Sequence, residues 1–257
     1  MEKFTIIARP DELSKKLELE ITTKLEKYDF SRDDENPETV IVVGGDGTFI
    51  YAVHKYIDRL KDVRFFGLHT GTLGFYSDYQ DSDLDAFLDV LINHTGNESE
   101  LSVLRAEVCD RRYYALNEIR IENAARTQVM DVYVNDIQLE TFRGTGMCVC
   151  TQLGSTAYNR SLGGAVIQEG LDLIELAEIS GIHHSKYRSL DAPLVLKSES
   201  ILRFEAESFD GALLGVDSDV YPLDGSKSIE IKICSARKIR ILQGKKVSYF
   251  DRLKTLY

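Results

Sequence analysis

No apolar run in this 257-residue chain approaches the roughly 20 residues that a helix needs to cross a bilayer. The opening, MEKFTIIARP, has an apolar stretch too short for a secretory signal and reads directly as a strand. Both absences predict a cytoplasmic protein. No long run of Lys or Arg occurs either, and the formal net charge is −11, which argues against nucleic acid or an anionic membrane as the main partner. A protein this acidic must bind any anion locally, through backbone amides, a few arginines and a divalent metal. Cysteines are few: Cys109, Cys148, Cys150 and Cys234, with no Cys-x-x-Cys and no His near them at zinc-ligand spacing. Cys148 and Cys150 alternate along a strand and share a face, so buried, reduced thiols are expected. Three familiar signatures are missing as well: the P-loop Gly-x-x-x-x-Gly-Lys-Ser/Thr, the Gly-x-Ser-x-Gly elbow and the zinc-protease helix. Gly144-Thr145-Gly146 lacks the third glycine of a Gly-x-Gly-x-x-Gly loop, and His183-His184 reads as an exposed pair in a loop rather than a metal site.

What is present is globular: 43 % hydrophobic and 28 % charged residues, in a chain long enough for one large domain or two ordinary ones. Phe4 to Ala8 reads as a strand. Asp11 to Lys27 follows as an amphipathic helix, with Leu13, Leu17, Ile21 and Leu25 recurring every four residues. The β-branched run Thr39 to Val43 stops at Gly44-Gly45, as a buried parallel strand would. A helix to about Ile57, a strand from Arg64 to Leu68, a glycine-rich loop and a helix from about Ser82 to Ile92 complete a βαβ pattern. Around residues 93–100 the helical period fades. Hairpins are then expected with turns at Asp110-Arg111 and Asn135-Asp136, with an irregular loop and short helix between Gly154 and about Ile179. Val247 to Tyr257 is helical again, with Phe250, Leu253 and Leu256 able to share a face, and so short a helix needs a packing partner. The fold class predicted is an α/β N-terminal domain with a parallel sheet plus an antiparallel β-rich C-terminal domain. No internal repeat or Pro/Gly-rich linker is found.

Gly44-Gly45-Asp46-Gly47-Thr48 is the sharpest local signal, at the carboxyl end of a buried strand and opening onto a helix, where α/β sheets bind ligands. Glycines let a backbone approach a phosphate, and helix N-terminal amides supply donors. An acid there would repel phosphate, so Asp46 makes chemical sense acting on a hydroxyl or a metal; the plainer alternative is a tight turn with Asp46 as a helix cap. A second loop, Gly71-Thr72-Leu73-Gly74-Phe75, would flank the same crevice. Asn117-Glu118, an amide beside a carboxylate, suits the two hydroxyls of a ribose, or is an exposed strand pair. From Gly154 through Ser155, Thr156, Ala157, Tyr158, Asn159, Arg160 and Ser161 to Gly164, hydroxyls and one aromatic gather between β elements. There Tyr158 can stack on a base and Thr156 and Ser161 can bond to it, or the block is a capped helix with a buried Tyr.

In this order the motifs resemble the bacterial NAD kinases. The likeness runs through GGDGTF (44–49), HTGTLGFYSD (69–78), NE (117–118), FRGTG (142–146), GSTAYNRSLGGAV (154–166), APLVL (192–196) and Val216-Asp217, nearly the whole chain. GGDGT is shared with diacylglycerol and sphingosine kinases and, in related form, with phosphofructokinases, whereas GSTAYN with an upstream NE is far more particular to NAD kinases. The resemblance implies ATP-dependent phosphorylation of the adenosine-ribose 2′-hydroxyl of NAD, aided by Mg²⁺ or another divalent cation. It implies Asp46 as general base, Gly47 and Phe75 beside it, and Gly44, Gly45 and Thr48 as the phosphate loop. Asn117 and Glu118 would hold ribose or nicotinamide-side groups, and Thr156, Ala157, Tyr158 and Ser161 would surround an adenine. Arg143, Thr145, Ser180 and Asp217 would lie at ligand or subunit contacts; the metal ligands stay unknown. The C-terminal segment would return to the first domain, giving residues 1–93 with 236–257 and residues 94–235, in a homodimer or homotetramer. The sequence departs from the family pattern at Thr145 (for Asp), Gln152-Leu153 (for Pro-Thr or Pro-Ser), Arg160 (for Lys) and Ser218 (for His in some relatives). A lipid kinase sharing GGDGT, or a non-catalytic NAD(P)-sensing protein on the same fold, are the alternatives.

Overall fold

The computed structural model describes residues 1–182, 190–244 and 247–256, so His183 and His184 lie outside the described residues. The chain folds as two compact units, residues 1–101 with 237–257, and residues 102–236. No described helix is long and apolar enough to cross a membrane.

The first unit opens with β1 (Glu2–Ala8), α1 (Glu12–Leu25), β2 (Phe30–Arg32), β3 (Thr39–Gly44), α2 (Asp46–Lys55), β4 (Arg64–His69), β5 (Tyr79–Gln80) and α3 (Leu84–Ile92). Its strands run β2-β1-β3-β4, all parallel, with β5 on the carboxyl end of β4. β3 is buried along its full length, as its unbroken apolar run requires. Ile41 and Val43 join Leu17, Ile21 and Leu25 of α1 and Phe87, Leu88 and Leu91 of α3 in one core. Phe66 stacks on Phe87 with centroids 4.0 Å apart. Each such fully buried side chain contributes about 1.5–3 kcal/mol.

Two details of α1 differ from the fourfold spacing. Asp11 caps the helix by accepting from the Ser14 amide at 3.0 Å. Leu13 is exposed and Ser14 takes its place in the interior. A helix advances about 100° per residue, so a repeat of four drifts about 40° at each step and carries Leu13 off the face that Leu17, Ile21 and Leu25 define.

β6 (Asn97–Val108) crosses from the first unit into the second, which contains β7 (Arg111–Ala115), β8 (Glu118–Glu122), β9 (Gln128–Val134), β10 (Ile137–Thr151), α4 (Tyr158–Ser161), β11 (Leu173–Gly181), β12 (Leu194–Lys197), β13 (Leu202–Glu205), β14 (Leu213–Val216) and β15 (Asp219–Pro222). Neighbouring strands pair antiparallel in the order β15-β14-β8-β10-β9-β13, with β11 on β10 and β12 on β11. The first half of β10 forms a hairpin with β9, and its second half lies between β8 and β11. Asn135 and Asp136 make that hairpin turn with φ of 49° and 66°, a backbone that Asn and Asp tolerate. The earlier turn sits one residue before the expected one, at Cys109-Asp110. The irregular segment also ends sooner than expected, because Leu173 to Gly181 is strand with Ile179 inside it. Cys148 and Cys150 are buried, as are Met147 and Val149 between and beside them, so this stretch is interior on both faces. Burial pushes both thiols up, which keeps them protonated and inert.

β16 (Ser228–Gln243) pairs first with β13 and, at Arg240 and Ile241, runs parallel to β4, so the chain re-enters the first unit. There α5 (Tyr249–Lys254) follows. Its anchor is not the expected apolar face: Phe250 is exposed, and the buried residue is Arg252.

Candidate active site

In the first unit the two glycine loops converge on one carboxylate. Gly45 is the residue before α2, and Asp46 opens the helix. Rather than capping its own helix, Asp46 turns to the second loop, where both oxygens accept from the Phe75 amide at 3.1 and 3.0 Å and Oδ1 from the Tyr76 amide at 3.4 Å. The glycines make room for this. A Cβ on Gly74 would lie 2.1 Å from Asp46 Oδ1, and one on Gly44 would lie 2.5 Å from Thr48 Oγ1. Tyr76 is held against α2 by stacking on Phe49, centroids 4.9 Å apart. A Cβ on Gly47 would meet nothing within 4 Å, so this turn faces open space.

His69, at the end of β4, is a neighbour that spacing alone does not single out. It is buried, its Nε2 lies 3.7 Å from where a Gly45 Cβ would be, and its Nδ1 has no hydrogen-bond partner among the described residues. Burial pushes its pKa down, against the opposing pull of Asp46, so the imidazole is neutral near pH 7.

In the second unit a different group assembles where β8 starts and β10 ends. Asp217, with φ of 50°, accepts from the amides of Leu116 (2.9 Å), Asn117 (2.8 Å) and Glu118 (3.2 Å) and so shapes the Asn117-Glu118 bend. The Thr151 hydroxyl donates to Leu116 O at 2.6 Å, and a Cβ on Gly154 would lie 2.0 Å from Asn117 O. Only glycine lets the 154–158 segment seat against this bend. Tyr158 begins α4, its hydroxyl donates to Glu122 at 3.3 Å, and the Arg120 guanidinium lies 4.8 Å from its ring centroid. Thr156 and Ser161 hydroxyls are turned to backbone carbonyls of Leu153 and Tyr158.

Glu118 is 5 % exposed; Oε1 accepts from Arg120 at 2.7 Å, while Oε2 has no hydrogen-bond partner among the described residues. Burial, then the nearby Asp217 charge, lifts its carboxyl from 4.5 to about 7. The folded protein thus keeps a proton that the unfolded chain has released. The associated stability is complete below pH 4.5 and is lost as pH rises through about 7. Glu118→Gln, which cannot titrate, should flatten this part of the stability curve by on the order of 3 kcal/mol, read from urea unfolding between about pH 5 and about pH 8. An unchanged slope would rule out a buried proton on Glu118.

The loop carrying Tyr158 is pinned from beneath by Asn159 and Glu175, both fully buried. Asn159 Nδ2 donates to Glu175 Oε2 at 2.9 Å, and the Ala165 amide to Oε1 at 2.8 Å. Glu175→Ala should destabilise by about 2–4 kcal/mol through two stranded donors, seen as a lower urea midpoint; a shift under about 1 kcal/mol would contradict the anchoring role.

Of the residues expected at the site, Asp46, Gly44, Gly45, Thr48 and Phe75 meet in the first unit. Asn117, Glu118, Thr156, Ala157, Tyr158 and Asp217 meet in the second. Arg143, Thr145 and Ser180 lie along the β10–β11 pairing: Gly144 stands opposite Gly181, Arg143 O accepts from the Ile182 amide, and Thr145 O accepts from the Asn123 amide. Ser180 is exposed with φ of 48°. Sequence reasoning missed His69, Arg120, Glu122, Asn159, Glu175 and Arg252. Glu118, Arg120 and Glu122 alternate on one strand face, and that i, i+2, i+4 charge pattern was a usable signal.

A model of the ATP-NAD kinase C-terminal domain matches residues 116–243. NAD kinase from Streptococcus pneumoniae (strain Hungary19A-6) is 34% identical over 260 residues, covering 99% of this chain and 96% of the relative. That from Latilactobacillus sakei subsp. sakei (strain 23K) is 33% identical over 261 residues, covering 99% and 97%. Among solved structures, yeast NADH kinase complexed with NADH superposes with a TM-score of 0.84 at 18% identity, covering 99% of this chain and 86% of that one. An NAD kinase from Archaeoglobus fulgidus in complex with ATP gives 0.77 at 22% identity, covering 96% and 95%. These last two agree in fold with an α/β unit followed by a β-rich one. By sequence, across nearly its full length, the chain belongs to the NAD kinase family.

Proposed function

We propose that this kinase transfers a phosphoryl group from ATP to the adenosine-ribose 2′-hydroxyl of NAD, with Asp46 as the general base. The observation that carries the reading is the Asp46 carboxylate, fixed at the head of α2 by the Phe75 and Tyr76 amides. Phosphoryl transfer asks for positioning and charge stabilisation more than covalent help from the protein. Asp46 takes the proton as the adenosine-ribose 2′-hydroxyl attacks, and the loop 44–48 presents amides at a helix N-terminus to the phosphates. By family resemblance Thr156, Ala157, Tyr158 and Ser161 would surround the adenine, and Asn117 and Glu118 would hold ribose or nicotinamide-side groups. The relatives' ligands, NADH in one and ATP in the other, support this choice of acceptor and donor.

A divalent cation belongs to the proposal. Among the described residues no group of three or more His, Cys, Asp or Glu side chains could hold a metal by itself. Mg²⁺ keeps several of its waters and is bound largely through substrate phosphates. When bound it supplies charge neutralisation of the transferring phosphoryl group, worth several kcal/mol. Homodimeric or homotetrameric assembly and a cytoplasmic location are carried in the same proposal.

The test is NADP formation from NAD and ATP with and without Mg²⁺. Turnover only with metal supports the reading. NAD binding with no NADP from any donor would overturn it and favour a sensing protein.

A further inference from the structure

The loop that holds Asp46 has no regular structure of its own between β4 and β5, yet it must keep two amides aimed at one carboxylate. Two of its carbonyls and one carboxylate are taken up by the C-terminal segment. The Arg252 guanidinium is 6 % exposed and donates through Nη1 to Gly74 O at 2.5 Å and Ser77 O at 2.7 Å, and through Nη2 to the Asp78 carboxylate, itself 8 % exposed. Thr255 Oγ1 lies 3.2 Å from Leu73 O but has its shorter acceptor in Arg252 O at 2.7 Å, and the Tyr249 ring packs edge-on against Phe75 with centroids 6.4 Å apart. Residues 74, 75, 77 and 78 are thus all gripped, and they bracket the Phe75 and Tyr76 amides on both sides.

We infer that Arg252 is a positioning residue for the catalytic carboxylate: it sets the loop whose amides orient Asp46. The chemistry explains why arginine stands there. A buried loop that turns its amides inward leaves carbonyls pointing the other way, and only a planar fork with several donors satisfies two of them and a carboxylate together. A six-residue helix is too short to hold itself, so the ion pair with Asp78 and the loop carbonyls fix it in return. Arg252 touches no proposed substrate group; it acts through Gly74 to Asp78 on Asp46.

The inference rests on Asp46 being the base, so both are tested in one experiment. Four proteins are compared by NADP formation per folded molecule: wild type, Arg252→Gly, Arg252→Lys and Asp46→Asn. Displacement of a catalytic group by about 1 Å costs up to about 10²-fold. Arg252→Gly should therefore lose about 10- to 100-fold in kcat, with KM for NAD and for ATP shifting less than about threefold. Added guanidinium ion should restore activity saturably to Arg252→Gly and not to Asp46→Asn. Arg252→Lys keeps the charge opposite Asp78 without the fork; it should fold and show a kcat between those of wild type and Arg252→Gly. A residue that merely stabilised the fold would lower the unfolding midpoint while leaving kcat per folded molecule and the guanidinium response unmoved, and that result would overturn the inference. If Asp46→Asn kept full activity, the reading beneath it would fail instead.

Discussion

Replacing Asp46 by Asn should lower NADP formation by about 10²–10⁴-fold, the usual contribution of a positioned general base. The substitution is close to isosteric, so it isolates the proton-accepting role. An amide oxygen can still accept from Phe75, but the NH₂ group cannot take a proton from a ribose hydroxyl and must face donors where an oxygen stood. The loss should therefore fall on kcat rather than on NAD affinity, and NAD titration monitored by calorimetry should give a Kd near that of the parent. A drop below about tenfold would show that Asp46 only caps and shapes the turn.

Gly74→Ala should be nearly as damaging, although it adds a single methyl group. The new Cβ would lie 2.1 Å from Asp46 Oδ1 and 2.6 Å from its Cγ, so the carboxylate has to leave its place. The backbone cannot move aside instead, because Gly74 O is held by Arg252. Gly74 does not have a left-handed φ, so alanine brings little backbone strain and the effect stays local. We expect kcat to fall by about 10²-fold with little change in the thermal midpoint, measured by steady-state NADP formation and calorimetric melting. Full activity in Gly74→Ala would mean that the working position of Asp46 is a different one.

These two predictions come from opposite ends of what sequence makes legible. The GGDGT turn could be read directly, because a buried β-branched strand followed by glycines and a helix has few other uses, and β3 and α2 fall where expected. The Asn135-Asp136 hairpin was equally open, since those residues tolerate the backbone the turn needs. Leu173 to Gly181 escaped because a strand buried on both faces shows no alternation of apolar and polar residues. Arg252 escaped for a related reason: a charged residue in a short helix reads as surface, and only the fold reveals that carbonyls await it. The Asn159–Glu175 pair left no local trace, because each partner's meaning lies in the other, on a neighbouring segment. Near Asp46, the sequence pointed to the acid and to Phe75 but not to what steadies them.

The bonds from the C-terminal segment to the loop join residues 174 to 178 positions apart along the chain. Contacts so distant in sequence close late, since loop entropy opposes them until much of the fold exists. β1, β3 and β4 with their helices lie within the first 101 residues and can assemble from nearby chain. During synthesis β1 to β4 and the glycine turn can thus form while the loop that holds Asp46 still lacks its C-terminal brace, and the sheet gains its last parallel strand only when Arg240 and Ile241 pair with β4. Shape arrives first and chemistry second, so an unfinished molecule has the outline of a kinase and leaves the cell's NAD untouched.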